Sequence, residues 1–567
     1  MGRPEIFLEN PLRRYRDPRA IVVAHAPDEV PAALAAIEAG VKAGRHAAGY
    51  LAYELGYTLE PRLGPLMPSA RKLPLLWFGL FDDFETEPAL AAAGRAYAGP
   101  LRHEWNEADY NTRYARVHDA IAAGDIYQAN LSFRSRFAFL GDPMALYRDL
   151  RARAAAPHCA YVDDGERQIL SLSPELFFDL AADGTLTARP MKGTAARGSD
   201  AVSDALARNG LRESTKDRAE NLMIVDLLRN DLGRIAALGS VTVKELFAVE
   251  TYPTVHQMTS TITAKLAPNG VAVIVRALFP CGSVTGAPKI RAMQIIRELE
   301  ASPRGVYCGA IGHFAPDGSA RFNVAIRTIT VQDGQGELGI GGAIVHDSTA
   351  AGEYAECLLK ARYFTKDQRP IGLIETLPWD GSFVRVERHL ARMAKSAAAL
   401  GIPFDEDAAR RALAVVAGDA PLRVRLTLDE AGNFVCTTAP LPPNPPFWTY
   451  AISDARVTSS DALLRHKIDW RELYDVTSQA DEVLFLNERG ELAEGSRSTI
   501  FLRIAGNLLT PPLSAGVLDG VLRRELLESG KCREAVLTLD DLARADEVLL
   551  GNSLRGLISS RPVRKAG

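Results

Sequence analysis

Two pairs of acidic residues with helical spacing are the first side chains in this sequence that could act together chemically. Asp217 and Glu220 are three residues apart in a segment with helical periodicity, and Glu353 and Glu356 repeat that spacing. The spacing predicts that each pair lies on one face of a helix. Neighbouring carboxylates repel unless a cation lies between them, and Mg²⁺ prefers carboxylate oxygens. A solvated helix surface would show the same spacing, so both interpretations stay open.

A glycine run precedes the second acidic pair. GIGGAI at 339–344 is no dinucleotide-binding fingerprint, because the position of the third glycine in G-x-G-x-x-G is Ile344. The backbone N–H groups of Gly341 and Gly342 could still form an anion-binding nest.

Composition narrows the classes of protein that remain. The 567 residues carry 66 basic and 70 acidic side chains, 47% are hydrophobic, and no apolar run reaches the ~18–20 residues of a membrane span. We expect several folding units and no nucleic-acid or membrane partner, because no basic block and no signal core is present. The six cysteines form no C-x-x-C pair, which favours reduced thiols and a cytoplasmic location.

The elements that must position these residues fall into two regions. Short strands alternate with helical patterns to about residue 365, 366–370 is a polar linker ending in proline, and a new pattern begins at residue 371. In the second region, RVRLTLDEAGNFVCTT predicts a hairpin and EVLFLNERGELAEGSRSTIFLRIAGNLLTP a meander. The proline-rich TAPLPPNPPFW between them predicts two lobes, about 371–440 and 448–567.

The first region resembles the chorismate-utilising enzymes, the anthranilate synthase component I family. The resemblance is carried, in the family's order, by GDIYQANLSFR, SLSPELFF, RPMKGTAARG, AENLMIVDLLRND, VHQMTSTI, CGSVTGAPK, NVAIRT and GGAIVHDS followed by EYAECLLKA. It implies a fold of large antiparallel sheets with helices outside. It further implies that Glu220 and Glu356 bind Mg²⁺ with Asp217 and Glu353 beside them. The substrate contacts implied by the resemblance are carboxylate binding by Arg327 and Lys360, orientation by Tyr307 and support for loss of the C4 hydroxyl by His256.

Two positions separate the chemistries of that family. Members that add water to chorismate carry a lysine base where this chain has Gln128, and an amide cannot deprotonate water. Anthranilate-forming members resemble P-I-A-G-T and the para-aminobenzoate branch P-I-K-G-T, whereas this chain has Pro-Met-Lys-Gly-Thr from Pro190 to Thr194. Lys192 therefore fits a nucleophile that attacks C2, expels the C4 hydroxyl and is displaced when ammonia enters at C4. Such an amine requires a lowered pKa, and a surface lysine on a turn is the alternative.

The source of ammonia lies outside the recognisable motifs. A glutaminase would show a cysteine on a glycine-flanked elbow, and none of the six cysteines has that setting. We expect a separate glutaminase subunit, or use of free ammonium in its absence.

The second region resembles the fold-type IV pyridoxal-phosphate enzymes, and more closely their 4-amino-4-deoxychorismate lyase branch. The strings are LIETLPWDGSFVRVERHLARM, EGSRSTIF, GVLDGVLRR and GNSLRG. The resemblance implies that Lys467 holds the cofactor as a Schiff base and that Glu494 pairs with the pyridine nitrogen. The phosphate ligands that it implies are Arg392, the N–H groups of Val521 and Leu522, and Ser553. Arg388 and Arg497 fit substrate ligands and solvated charges equally well.

Together these expectations describe a multidomain α/β and α+β protein with two enzymatic steps. Residues 1–365 would aminate chorismate to 4-amino-4-deoxychorismate, and residues 371–567 would release pyruvate to give 4-aminobenzoate, a folate precursor. A homodimer through the second region is possible. The alternatives are an anthranilate-type first step, a D-amino-acid or branched-chain aminotransferase as the second, and a non-catalytic chorismate-binding scaffold.

Overall fold

The computed structural model describes residues 3–92, 94–252, 255–266 and 270–563. These residues separate into two compact units. The first comprises the ranges 1–90, 100–137 and 147–366, and the second comprises 91–99, 138–146 and 367–567. Two short segments from the amino-terminal part of the chain, 91–99 and 138–146, thus pack with the carboxy-terminal region.

The strands of the described residues are, in chain order, β1 (Glu5–Leu8), β2 (Arg13–Arg16), β3 (Ala20–Ala24), β4 (His46–Leu51), β5 (Leu76–Phe81), β6 (Glu85–Thr86), β7 (Ala96–Ala98), β8 (Arg102–His103), β9 (Gln128–Gly141), β10 (His158–Asp163), β11 (Gln168–Ser173), β12 (Leu176–Leu180), β13 (Thr185–Arg189), β14 (Met191–Ala196), β15 (Thr242–Thr251), β16 (Val255–Lys265), β17 (Gly286–Ala287), β18 (Ala310–Phe314), β19 (Ala320–Val324), β20 (Thr328–Gln332), β21 (Gln335–Ile344), β22 (Leu373–Trp379), β23 (Leu422–Leu428), β24 (Phe434–Pro440), β25 (Trp448–Val457), β26 (Glu482–Asn487), β27 (Leu492–Gly495), β28 (Thr499–Ile504), β29 (Asn507–Thr510), β30 (Arg533–Glu534), β31 (Glu547–Asn552) and β32 (Gly556–Pro562).

The α-helices of the same residues are α1 (Val30–Lys42), α2 (Gly56–Leu59), α3 (Glu107–Ala122), α4 (Pro143–Ala154), α5 (Ala201–Glu213), α6 (Thr215–Gly233), α7 (Val271–Leu278), α8 (Lys289–Leu299), α9 (Ala350–Lys360), α10 (Arg362–Thr365), α11 (Val386–Leu400), α12 (Glu406–Ala414), α13 (Val521–Glu528) and α14 (Leu539–Arg544). No helix among the described residues combines the length and the apolar character that crossing a bilayer requires.

The first unit contains two large sheets. One has the strand order β17-β9-β21-β20-β11-β10-β1-β2-β6, and the other has β14-β16-β13-β12-β19-β18-β4-β5-β3 with β15 also paired to β16. The neighbouring strands along these paths pair antiparallel wherever their register is described. Helix α7 buries Val271, Ile274, Val275 and Leu278 on one face, at the spacing of an amphipathic helix. These sheets confirm the expected architecture of the first region.

The second unit contains two smaller sheets, β22-β23-β24 and β27-β26-β25-β32-β31-β28-β29-β30. The predicted hairpin is confirmed, because β23 pairs antiparallel with β24 from Leu422↔Pro440 to Leu428↔Phe434. The predicted meander is wrong in its centre: β26 pairs with β27 and β28 pairs with β29, but β28 takes β31 as its other neighbour instead of β27. Turn residues predict local hairpins, whereas the order of hairpins in a sheet depends on distant strands.

The segment 91–99 is anchored in the core of the second unit by Tyr97. This side chain is 1% exposed and packs in the same apolar cluster as Leu377, Leu390 and Leu426. Its hydroxyl donates to Glu430 Oε1 at 2.8 Å, and its strand β7 pairs with the end of β9 from Ala96↔Gly141 to Ala98↔Phe139. A buried aromatic ring therefore ties the segment to the second unit.

Replacing Tyr97 tests this anchoring. We expect Tyr97→Ala to lower the free energy of unfolding of the second unit by ~3–5 kcal/mol, because truncation leaves a cavity, and Tyr97→Phe to cost only about 1 kcal/mol for the lost hydrogen bond. The measurement is hydrogen exchange of β22 and β23 under native conditions. Tyr127, which is 70% exposed, provides the matched control as Tyr127→Ala. Unchanged exchange in Tyr97→Ala would contradict the anchoring.

Candidate active sites

The two acidic pairs lie near the starts of two capped helices in the first unit. Helix α6 is capped by Ser214, whose Oγ accepts from the N–H of Asp217 at 3.2 Å. Helix α9 is capped by Thr349, whose Oγ1 accepts from the N–H of Gly352 at 3.3 Å. Asp217 and Glu353 thus fall in first turns, where the helix dipole favours negative charge. Both predicted helices are confirmed.

The acids of α6 and α9 face one another. Burial raises the pKa of Glu220, and the charges of Asp217 and Glu353 raise it further against the opposing effect of Lys192 and Lys216. Glu353 is buried, and its Oε1 accepts from the Ser348 hydroxyl at 2.6 Å. Carboxylates from two helices that repel one another are a donor set suited to a hard divalent cation.

The acids are compensated by lysines in this arrangement. Lys360 Nζ lies 2.8 Å from Glu356 Oε1 and donates to the Gly341 carbonyl at 3.1 Å, and Lys216 lies 4.0 Å from Glu220. Among the described residues, no group of three or more His, Cys, Asp or Glu side chains is placed to hold a metal ion. Mg²⁺ commonly needs only one or two protein carboxylates and takes water and substrate oxygens for the rest, so the donor set still fits.

Lys192 lies between the two acidic helices. Its side chain is half-buried in β14, and burial together with the charge of Lys360 lowers the pKa of its amine, against the opposing charges of Glu220 and Glu356. The next residue, Gly193, has φ +86°, and a Cβ there would come within 2.9 Å of Asp217. Glycine at this position therefore lets the strand bring Lys192 close to α6.

Glu175 is a candidate residue that the sequence reasoning missed. It is 5% exposed, its Oε1 accepts from the Ser283 hydroxyl at 2.7 Å, and its charge acts on the Lys192 amine. Burial raises the pKa of Glu175 to about 7, against the effects of Ser283 and Lys192. The signal in the sequence was a lone acid beside the apolar strand LFF in SLSPELFF. A buried carboxyl that titrates near neutrality can exchange a proton with a neighbouring amine.

Gln128 and Arg327 are polar side chains for which the described residues provide no hydrogen-bond partner and no carboxylate, respectively. Gln128 is fully buried in β9, and neither its Oε1 nor its Nε2 has a hydrogen-bond partner. Arg327 is half-buried at φ +50°, with no carboxylate paired to it among the described residues, and burial lowers its pKa. The hydroxyl of its neighbour Tyr363 is also buried without a partner. Unpaired buried polar groups are costly, so these positions suit a polar, anionic ligand.

Not all of the remaining substrate-binding residues predicted in the first region lie beside the carboxylates of α6 and α9, which we call the acidic cluster. Tyr307 is buried, with Arg134 stacked 5.1 Å from its ring centre, and a Cβ on Gly339 would clash with that ring at 2.2 Å. Gly341 and Gly342 lie in β21. The expected nest is therefore wrong, because the backbone there is extended. A Cβ on Gly342 would lie 3.1 Å from Glu353 Oε2, so this glycine still borders the cluster.

His256 is a buried residue whose ring is held by two protein partners. It is 1% exposed, its Nε2 pairs with Asp204 Oδ1 at 3.0 Å and its Nδ1 pairs with Thr251 Oγ1 at 3.0 Å. Both ring nitrogens are thus engaged by protein groups, which fix the orientation of the ring, and its implied role in the loss of a hydroxyl stays a prediction.

Lys467 lies in a cavity of about 980 Å³ within the second unit. Its Nζ makes one long contact, donating to Thr376 Oγ1 at 3.4 Å. Burial and the charge of Arg392 lower the pKa of this amine to about 8, against the opposing charge of Glu375. An amine of this kind is available as a nucleophile near neutral pH.

Glu494 lies in the same cavity with a carboxyl held from two sides. Its Oε1 accepts from the Tyr474 hydroxyl and its Oε2 accepts from the N–H of Leu518 at 2.8 Å. Burial raises the pKa of Glu494 to about 7, against the effects of Tyr474 and Leu518. Each oxygen retains a lone pair, so a further N–H⁺ donor can bind.

The predicted phosphate ligands gather at the start of α13. Val521 and Leu522 are the first two residues of this helix, and its N-cap, Gly520, supplies no side-chain cap. The first N–H groups of a helix have no intrahelical acceptor, so they suit an anion. A Cβ on Gly520 would lie 3.1 Å from Thr499 Oγ1, so glycine keeps this approach open.

Arg392 and Ser553 are bound into a buried network that the sequence reasoning missed. Arg392 donates from Nε and Nη2 to Glu375 at 2.8 and 2.6 Å, and His389 bridges Glu375 Oε2 at 2.5 Å and Ser553 Oγ at 2.7 Å. Burial raises the pKa of Glu375, but Arg392 and His389 lower it more, to about 2. The signal was a single acid within the apolar strand of LIETLP.

The structure separates the two arginines whose roles were open. Arg388 pairs with Glu528 at 2.6 Å on an exposed surface, whereas Arg497 lines the cavity and donates from Nη2 to the Asp481 carbonyl at 2.6 Å. Arg388 is therefore a solvated charge.

Comparison with known proteins follows the same division. Residues 12–366 match the family model described as chorismate binding enzyme, which is more than half of the chain. The chain belongs to the chorismate binding enzyme family. Residues 372–564 match the model of class IV amino-transferases. The two matches confirm the fold class expected from the sequence.

Two curated relatives match part of the chain. Aminodeoxychorismate synthase component 1 of Klebsiella aerogenes is 43% identical over 273 residues, 48% of this chain and 60% of that protein. Aminodeoxychorismate synthase of Streptomyces griseus is 47% identical over 264 residues, 46% of this chain and 36% of that protein. The chain thus spans between about a third and three fifths of these relatives' lengths.

A solved structure shares its fold with part of this chain. Anthranilate synthase component I from Streptococcus pneumoniae TIGR4 has a TM-score of 0.53 and 24% identity, covering 64% of this chain and 92% of that one.

The lowered pKa of Lys467 generates a test of the second cavity. In cofactor-free protein we expect about half of the Lys467 amine to be neutral at pH 8, because its pKa is about 8, whereas an ordinary lysine with a pKa of ~10.4 is almost fully protonated there. The measurement is the pH dependence of acylation of the Lys467 peptide, followed by mass spectrometry. The denatured chain is the control, and identical profiles in folded and denatured protein would contradict the shift.

Proposed function

We propose that this chorismate binding family member makes 4-aminobenzoate from chorismate in two steps. Residues 1–365 aminate chorismate to 4-amino-4-deoxychorismate, and residues 371–567 convert that product to 4-aminobenzoate and pyruvate. The observation that carries the proposal is a half-buried lysine, Lys192, held between the acidic faces of α6 and α9. A lysine at this place can act as a nucleophile, whereas the alanine of anthranilate-forming relatives cannot.

In the first step, Lys192 attacks C2 of the ring and the C4 hydroxyl leaves. Ammonia then enters at C4 and displaces the lysine. Glu175 accepts the proton of the Lys192 ammonium, since its carboxyl lies close enough for their charges to interact and its pKa is near 7. His256, whose ring is oriented by Asp204 and Thr251, would support loss of the C4 hydroxyl.

Glu220 and Glu356 would hold Mg²⁺, with Asp217 and Glu353 beside them, and the ion would supply positive charge for a substrate carboxylate. Arg327, which pairs with no carboxylate in the described part of the chain, would bind a second carboxylate. Lys360, Tyr307 and Gln128 would line the remaining polar contacts of the ring.

The second step is proposed to use pyridoxal phosphate, which when bound supplies an electron sink for cleavage at the amine-bearing carbon. Lys467 would hold the cofactor covalently and, once released, take the C4 proton of the substrate. Glu494 would pair with the pyridine nitrogen through its free lone pair. The first N–H groups of α13, at Val521 and Leu522, would bind the phosphate with Arg392 and Ser553.

The partners of the protein are proposals of the same kind. Chorismate is the first substrate, and a separate glutaminase subunit supplies ammonia, which is supported by the designation of the Klebsiella aerogenes relative as component 1. A homodimer through the second region also remains a proposal. A class IV aminotransferase as the second step is the competing function, because its cofactor site would be similar.

Lys192→Ala tests the first step. We expect formation of 4-amino-4-deoxychorismate from chorismate, ammonium and Mg²⁺ to fall at least about a thousandfold, because the nucleophile is removed. Chromatography of the products measures it. Lys265→Ala is the matched control, since Lys265 is an exposed lysine at the end of β16. Anthranilate as the product of the unaltered chain would contradict the role of Lys192.

Lys467→Ala tests the second step. We expect 4-amino-4-deoxychorismate to accumulate, pyruvate release to stop and the visible absorbance of bound cofactor to be lost. Coupled pyruvate assay and absorbance spectra measure these outcomes, with Lys531→Ala, an exposed lysine, as control. Equimolar 4-aminobenzoate and pyruvate from the unaltered chain support the lyase, and consumption of an amino acid without pyruvate release would favour the aminotransferase.

A further inference from the structure

We propose that Arg95 binds a carboxylate of the substrate of the second step. Arg95 lies within the range matched by the chorismate binding enzyme model, yet it lines the cavity that contains Lys467. The class IV range alone would therefore lack one of the substrate ligands. This inference rests on the proposed function, because it takes the substrate to be a carboxylate-bearing compound.

The backbone at Arg95 is held in place by the end of β9. The N–H of Asp142 donates to the Arg95 carbonyl at 2.9 Å. Gly141 has φ +113°, and a Cβ there would come within 2.1 Å of that carbonyl oxygen. Only glycine permits so close an approach. With Tyr97 buried two residues further on, Arg95 starts from a fixed backbone position.

The side chain of Arg95 is held through its Nε, whereas its two terminal nitrogens remain available to a ligand. Its Nε donates to Asp461 Oδ2 at 2.7 Å, and Asp461 is 7% exposed. The other oxygen of Asp461 accepts from the N–H of Leu463 at 2.9 Å, which fixes the carboxylate. Among the described residues, Nη1 and Nη2 of Arg95 donate to no protein acceptor. A guanidinium oriented in this way presents two free N–H groups to a ligand carboxylate.

The positive charge of Arg95 acts on the Tyr474–Glu494 pair of the cavity. Tyr474 donates to Glu494, and the guanidinium carbon of Arg471 lies 5.0 Å from its ring centre. Burial and Glu494 raise the pKa of Tyr474, and the positive charges of Arg95 and Arg471 oppose that rise. The charge of Arg95 therefore acts within the reactive part of the cavity.

The cavity as a whole favours an anionic substrate. Arg423 and Arg425 are two residues apart on β23, so they point to the same face, and both line the cavity without an ion pair among the described residues. 4-Amino-4-deoxychorismate carries two carboxylates, and one cationic residue is needed for each.

The test compares variants of the full chain loaded with pyridoxal phosphate and supplied with 4-amino-4-deoxychorismate. We expect Arg95→Ala to raise the KM for pyruvate release about tenfold or more, the effect of losing a charge-assisted hydrogen bond, with kcat changed less than about threefold. Arg95→Lys should recover part of the affinity because it keeps the charge. The visible spectrum of bound cofactor and the amination of chorismate should both stay unchanged.

Two controls separate a ligand from a merely structural residue. Asp461→Asn removes the ion pair that orients Arg95 but keeps the oxygen that accepts from Leu463 and leaves Arg95 itself in place, so we expect a rise in KM that is clearly smaller than that of Arg95→Ala. Arg388→Ala removes an exposed arginine outside the cavity. A KM for Arg95→Ala within about twofold of the unaltered chain, or an equal effect of Asp461→Asn, would overturn the inference. Absence of pyruvate release by the unaltered chain would instead contradict the proposed function.

Discussion

The balance of charge around Lys192 is the interaction on which the first site depends. An isolated charge is costly to remove from water, yet β14 brings a half-buried amine to a place where α6 and α9 both present carboxylates. Glu220 and Glu356 favour the charged amine, and burial and Lys360 favour the neutral one. The amine is therefore held by acids and remains able to lose its proton, which a nucleophile requires.

The cavity around Lys467 also contains a buried amine, but most of the charged groups near that amine are positive. Lys467 is surrounded mainly by arginines, so burial and like charge act together and lower its pKa to about 8. Glu375 compensates Arg392 and His389 within a buried network, whereas Arg423 and Arg425 line the cavity without an ion pair among the described residues. One lysine thus lies among acids and the other mainly among cations.

Much of both sites could be predicted from the sequence because their residues lie in short motifs that are recognisable without the rest of the chain. The i,i+3 spacings of Asp217 with Glu220 and of Glu353 with Glu356 are determined by helix geometry. Glu175 and Glu375 were missed for a physical reason. A lone acid in an apolar strand has no periodicity to signal it, and its importance comes from partners more than a dozen residues away, Ser283 and Arg392.

By itself, the sequence determined the two families, the helices that carry the acids, the hairpin β23–β24 and the two candidate nucleophilic lysines, because these depend on neighbours within a few residues. Only the tertiary structure decided that His256 is occupied by Asp204 and Thr251, that β28 pairs with β31, and that residues 91–99 pack with the second unit. Those outcomes depend on contacts between residues distant in the chain, and such contacts are selected by burial and packing of the whole chain rather than by local pattern.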